Sequence, residues 1–128
     1  MPALMAIRTI FPAPVINASR ANNPASIVVH GVTFNGGIAI HGGSGPAPEG
    51  CDSEDCVYFT AIEDSNINGG ATVDGYTGFW LGFIRNHVNG GVNLSNNNQL
   101  DPDASEYVTN TIHGGLACFN NTPAPPWR

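Results

Sequence analysis

The sequence predicts an all-β chain wound as a short parallel β-solenoid of about four coils, and three observations carry that prediction. A Gly-Gly pair recurs four times with similar neighbours. Around each pair the apolar residues hold fixed positions that alternate with polar or small ones, which is the period of a strand. The composition also disfavours helices: of 128 residues, 16 are Gly and 15 are Asn, Gln occurs once and Lys not at all. The residues that lose least entropy in a helix are therefore scarce.

The four copies are Val32-Thr33-Phe34-Asn35-Gly36-Gly37-Ile38-Ala39-Ile40, Ser65-Asn66-Ile67-Asn68-Gly69-Gly70-Ala71-Thr72-Val73, Asn86-His87-Val88-Asn89-Gly90-Gly91-Val92-Asn93-Leu94 and Asn110-Thr111-Ile112-His113-Gly114-Gly115-Leu116-Ala117-Cys118. Their first glycines stand at 36, 69, 90 and 114, giving spacings of 33, 21 and 24. Two places before the first glycine stand Phe34, Ile67, Val88 and Ile112; two places after it, Ile38, Ala71, Val92 and Leu116; four after, Ile40, Val73, Leu94 and Cys118. A further column seven places before holds Val29, Ile62, Phe83 and Tyr107. Short strands joined at a Gly-Gly corner, where the backbone needs either a positive φ or a missing Cβ, account for this pattern. No single copy can bury its own apolar side, so the copies stack, with rungs about 4.8 Å apart.

Length and charge bound the rest. A chain of 128 residues holds a single core, and its 41% apolar content is enough to pack one. With four Lys+Arg against ten Asp+Glu, the net charge of −6 repels a phosphate backbone, so nucleic acid is excluded as an expected partner. No stretch is apolar enough to span a bilayer, and residues 1–18 do not read as a secretory signal because Arg8, Pro12 and Pro14 interrupt them.

The expected organisation is an N-terminal extension over 1–26, the β-helix over 27–121 and a Pro-rich tail over 122–128. The extension is apolar and β-branched but broken by prolines. It is expected to fold over the first coil as a cap or to reach a neighbouring subunit as an added strand. A solenoid exposes strand edges at both ends, and neither end of this sequence carries the charged, blunted look of a deliberate stop.

These residues resemble a family, the right-handed parallel β-helix proteins of the pectate-lyase-like kind. The carriers are the Asn-x-Ile/Val-x-Gly pattern at Asn86 to Gly90 and Asn110 to Gly114, and the closing stretch from Asn110 to Pro125. Its Leu-x-Cys-x-x-Asn-x-Pro run, Leu116 to Pro123, looks like the last coil of secreted actinobacterial β-helix proteins. The resemblance covers roughly residues 27 to 125 and implies a right-handed coil. The fold hosts lyases, hydrolases, epimerases, phage spikes and inert domains, so it implies no particular chemistry. This chain has fewer coils than the enzymes and no Lys, and no lyase-type site carries over.

Candidate site residues fall in three sets. Asn35, Asn68, Asn89 and His113 occupy the place before Gly-Gly and predict a structural ladder, since stacked amides hydrogen-bond from layer to layer. Cys51 and Cys56 bracket an acidic run, Asp52, Glu54 and Asp55. They close a small disulfide ring in an oxidising compartment or remain two reduced thiols, and the acids suit calcium. The connections between copies all leave from the same side of the coil and carry Tyr76, Phe79 and Trp80, then Asp101, Asp103 and Glu106. Aromatic rings flanked by acids suit carbohydrate stacking, with Tyr76 and Trp80 as the platform. Cys118 stands in an apolar column and reads as a buried, inert thiol, and Asp64 and Arg85 share a column and read as an ion pair between coils.

The expected function is a non-catalytic extracellular or cell-surface module that self-associates into an oligomer or filament through poorly capped ends. Two alternatives are a carbohydrate-binding or polysaccharide-processing domain and a calcium-binding surface module. No other cofactor is implied.

Overall fold

Each coil lays down three short strands separated by sharp corners. A computed structural model describes residues 4–7, 15–43, 59–99 and 104–125. Coil 1 comprises β1 (Leu4–Ile7), β2 (Val15–Ile16) and β3 (Ser19–Asn22), and coil 2 comprises β4 (Ser26–His30), β5 (Thr33–Phe34) and β6 (Ile38–His41). Coil 3 contributes β7 (Phe59–Glu63), β8 (Asn66–Ile67) and β9 (Ala71–Asp74), and coil 4 β10 (Trp80–Ile84), β11 (His87–Val88) and β12 (Val92–Ser95). Coil 5 ends the series with β13 (Glu106–Val108), β14 (Thr111–Ile112) and β15 (Leu116–Phe119).

Like strands stack into three parallel five-stranded sheets, in the orders β1-β4-β7-β10-β13, β2-β5-β8-β11-β14 and β3-β6-β9-β12-β15. The chain is therefore a short parallel β-helix. Its registers follow the sequence columns without a slip: Val29 pairs Ile62 and Phe83 pairs Tyr107, Phe34 pairs Ile67, and Leu94 pairs Cys118. In coils 2 to 4 these columns are fully buried and form one continuous core. The connections from β6 to β7, β9 to β10 and β12 to β13 all join the third sheet to the first, as the shared position of the insertions predicts.

There are five coils where the repeat predicts about four. The extension expected as a cap or an inter-subunit strand pairs within its own chain: Leu4 to Ile7 run beside Ser26 to Val29, and Ser19 to Asn22 beside Ile38 to His41. It escapes the repeat search because Asn17-Ala18 replaces the three residues Asn35-Gly36-Gly37 of the next coil. The hydrogen bonds keep step nonetheless. Gly36 N–H donates to Asn17 O as Gly69 N–H donates to Gly36 O, so Asn17 occupies the place of a first glycine.

The Gly-Gly corners are set by crowding, and none of these eight glycines has a positive φ. A Cβ at Gly69 would lie 2.7 Å from the carbonyl carbon of Gly36, and one at Gly114 2.5 Å from that of Gly90. The first glycine of each pair thus faces the preceding coil, and the second faces the next: a Cβ at Gly37 would meet Gly70 O at 2.6 Å. Left-handed backbone falls instead at two other corners. One holds Gly31, Asp64, Arg85 and Thr109, with φ from 51° to 68°; the other holds Asn23, Gly42, Gly75, Asn96 and Asn120, with φ from 53° to 75°. Asn, Asp and Gly tolerate this region best, which accounts for part of the Asn-rich composition.

Gly114→Ala is expected to lower the unfolding free energy by about 1–3 kcal/mol through overpacking, whereas Gly115→Ala, with nothing within 4 Å of its Cβ, changes it by less than about 1 kcal/mol. Urea denaturation of the two variants checks the contrast; equal losses would show that the corner is not packed as described.

Candidate functional site

Two buried ladders of polar side chains bind coil to coil beside the left-handed corners. Ser65 Oγ accepts from Val32 N–H at 3.2 Å, Asn86 Oδ1 from Ser65 N–H at 3.1 Å and Asn110 Oδ1 from Asn86 N–H at 2.9 Å. At the corner between the third and first sheets, Asn97 Oδ1 accepts from Tyr76 N–H at 2.9 Å and Asn121 Oδ1 from Asn97 N–H at 3.3 Å. The amide nitrogens bond back toward earlier strands: Asn86 Nδ2 donates to Ile62 O, Asn97 Nδ2 to Val73 O and Asn121 Nδ2 to Leu94 O. Corner N–H groups that no strand can pair are satisfied in this way, as buried backbone donors require.

These ladders were not identified from the sequence, although their signal was present in it. Both lie at fixed offsets from the first glycine, and Asn86 and Asn110 head the Asn-x-Ile/Val-x-Gly pattern. The column expected to form the ladder lies on the surface. Asn35, Asn68, Asn89 and His113 are exposed; Asn89 Nδ2 donates to Asn68 Oδ1 at 2.8 Å, and the His113 ring sits 4.9 Å from that of His87.

Among the described residues, the ladders and the core columns reach their last rung at coil 5. Among the described residues no side chain accepts the N–H of Asn110 or Asn121. Leu116 is 52% exposed although Ile38, Ala71 and Val92 in its column are 1–3% exposed. Phe119 is exposed as well, Tyr107, Ile112 and Cys118 are half-buried, and open space lies over Gly115. A shallow groove bounded by Thr72, Asn93 and Ala117 runs into Leu116. Cys118 is a free thiol that burial pushes to higher pKa, with Asn121 Nδ2 3.5 Å from its Sγ, so it lacks the low pKa of a reactive cysteine.

Coil 1 ends the helix differently. Where coil 2 places Ile38 and Ile40, coil 1 places Ser19 and Ala21, beside exposed Arg20 and Asn22. Asn17, exposed, adds a side chain at the position where interior coils carry a first glycine. The third sheet thus tapers to small and polar residues at this end and remains full-sized at the other.

The carbohydrate platform does not survive in the form expected. Tyr76 is completely buried, its hydroxyl donates to Ala25 O at 2.7 Å, and burial pushes its pKa up to about 12. It is large and apolar enough to fill the core beneath the connection, so it offers no face to a sugar. Trp80 is half-buried with its ring over Gly82, in the space a Cβ there would take, and edge-on to Phe59 at 6.1 Å. Glu106 pairs in register with Gly82. Asp101 and Asp103 lie outside the described residues, as do Cys51, Cys56, Asp52, Glu54 and Asp55.

A charge cluster lies on one left-handed corner. Arg85 grips Asp64 with Nε–Oδ1 at 2.6 Å and Nη2–Oδ2 at 2.9 Å, the ion pair that the columns predict. His30 Nε2 lies 2.8 Å from Asp64 Oδ2, and Glu63 is within 4.0 Å of Arg85. Ligand atoms of His30, Glu63 and Asp64 approach one another within 4.8 Å. Arg85 already engages both carboxylates there, so the group reads as a surface ion-pair network.

No family model matches the chain, and no curated protein or solved structure is detectably similar to it. The pectate-lyase-like resemblance therefore rests on the residues quoted for it. Among the described residues, no helix is long and apolar enough to cross a membrane.

Asn86→Ala removes the acceptor of Ser65 N–H and a donor to Ile62 O, and is expected to cost about 2 kcal/mol in urea denaturation. The hydrogen bond from Arg85 holds the Asp64 carboxyl below its ordinary value of 3.8. That pair therefore contributes stability above 3.8 which is lost as the pH falls through the depressed folded value. Arg85→Met is expected to flatten this acid limb in melts recorded against pH; an unchanged limb would remove the pair from the account.

Proposed function

We propose that this chain is a non-catalytic structural module that associates with copies of itself through the uncovered face of its final coil, in an extracellular or cell-surface setting. The observation that carries the reading is the break in exposure along one column: Leu116 is 52% exposed where its three predecessors are buried. A last rung whose apolar side chains are exposed among the described residues suits another layer of the same kind, because strand edges and apolar side chains both gain from being covered. Both carboxylates of the described corner, Glu63 and Asp64, are engaged by Arg85, which supports a structural over a catalytic reading.

Magnitudes decide the strength of such contacts. Covering the exposed halves of Leu116 and Phe119 contributes about 1 kcal/mol each, and each edge hydrogen bond about 1 kcal/mol net. Association costs at least about 4 kcal/mol of lost freedom, so the complex is weak and depends on concentration. Sedimentation equilibrium from about 10 µM to about 1 mM is expected to show the mass rising above the 13.4 kDa of one chain. Leu116→Lys is expected to hold it at 13.4 kDa, and a wild-type protein that stays at that mass throughout would end the proposal.

A further inference from the structure

Resting on the self-association reading, we infer that the contact is tail to tail: the final coil of one chain docks on the final coil of a second, giving a closed pair related by a two-fold axis. The alternative, coil 1 of one copy on coil 5 of the next, would build a filament.

The Gly-Gly corner discriminates between them. Wherever one coil follows another with a glycine pair, the upper coil presents its first glycine to the backbone beneath, because a Cβ there would come within 2.5–2.7 Å of backbone atoms at Gly69, Gly90 and Gly114. A coil 1 seated on coil 5 would have to present Asn17 at that place, since Asn17 is the hydrogen-bonding equivalent of Gly36. Its side chain would occupy the volume where the Gly114-Gly115 backbone must lie. The same end sets Ser19 and Ala21 in the columns of Leu116 and Cys118, so a polar hydroxyl and a methyl would be all that covered them.

The final coil meets a copy of itself without these conflicts. Above Gly115 there is open space, so that corner imposes no clash. Among the strand residues of coil 5 only Glu106 is charged, so the approach of two such faces meets one like-charge pair at most. Turning a copy over reverses the sense in which its chain circulates, so the two sets of edges meet antiparallel, a pairing strands readily form. An interface of this kind closes on itself, as two-fold contacts do, and leaves the blunted coil 1 ends outermost.

The test is a mixing experiment in the analytical ultracentrifuge. Fluorescently labelled Leu116→Lys protein, with circular dichroism confirming its fold, is sedimented alone and in excess unlabelled wild type. Its coil 1 face is untouched, so a head-to-tail contact would carry it into a complex of twice the mass. The tail-to-tail contact leaves it at the mass of one chain while wild type alone reaches two and no more. Gly115→Val repeats the measurement with a variant whose side chain enters only open space. Capture of either folded variant, or wild-type growth into filaments, overturns the inference and leaves self-association standing; a wild type that never exceeds one chain overturns both.

Discussion

Backbone stacked on backbone at the Gly-Gly corner is the constraint from which the rest of this molecule follows. Three sheets hold the rungs at strand spacing, and at that separation one corner of each coil brings peptide groups so near that no side-chain carbon fits between them. Fixing this corner fixes the register of the strands on either side. Once the register is fixed, like residues fall over like residues, and columns of Val, Ile, Leu and Phe merge into one core. The connections can differ in length because they leave from a corner outside this lock.

The same stacking creates the need that asparagine fills. At the left-handed corners the chain turns away from its neighbours, and the following N–H has no strand partner. Asn86, Asn97, Asn110 and Asn121 accept it from the coil beneath while donating to an earlier carbonyl. An amide does both at once, having an acceptor and a donor on one short stem. Ser65 performs the accepting half, bonding with its hydroxyl to Glu63 O within its own coil.

The sequence made the fold readable because its signal is translational. Phe34, Ile67, Val88 and Ile112 identify a column without knowledge of the corner between them, and the Asp64–Arg85 pair follows from the same alignment. Coil 1 was hidden because its corner is one residue short and its third strand, Ser-Arg-Ala-Asn, lacks the apolar alternation. The ladder expected beside Gly-Gly makes one surface rung, Asn89 to Asn68, and the buried ladders were missed because Asn68 and Asn86 are chemically alike: only the direction of the chain at each corner turns one outward and the other in. Tyr76 misled in a similar way, since an aromatic ring in a connection reads equally as a platform or as a plug. The open final rung left no mark in the alignment, because Leu116 obeys its column as faithfully as Val92 does.

The contrast between the two ends has a bearing on how the chain is made. Synthesis delivers coil 1 first, with Asn17 and the small residues of β3 already in place. Each later coil then has a preformed edge on which to settle, and that edge is consumed as it is used. Contacts between successive rungs are the main ones available in a solenoid, so a coil added beside a folded rung finds its partner edge in place. The small and polar rung of coil 1 is thus made well before the exposed Leu116 of coil 5, and each rung in between waits only for the residues that follow it.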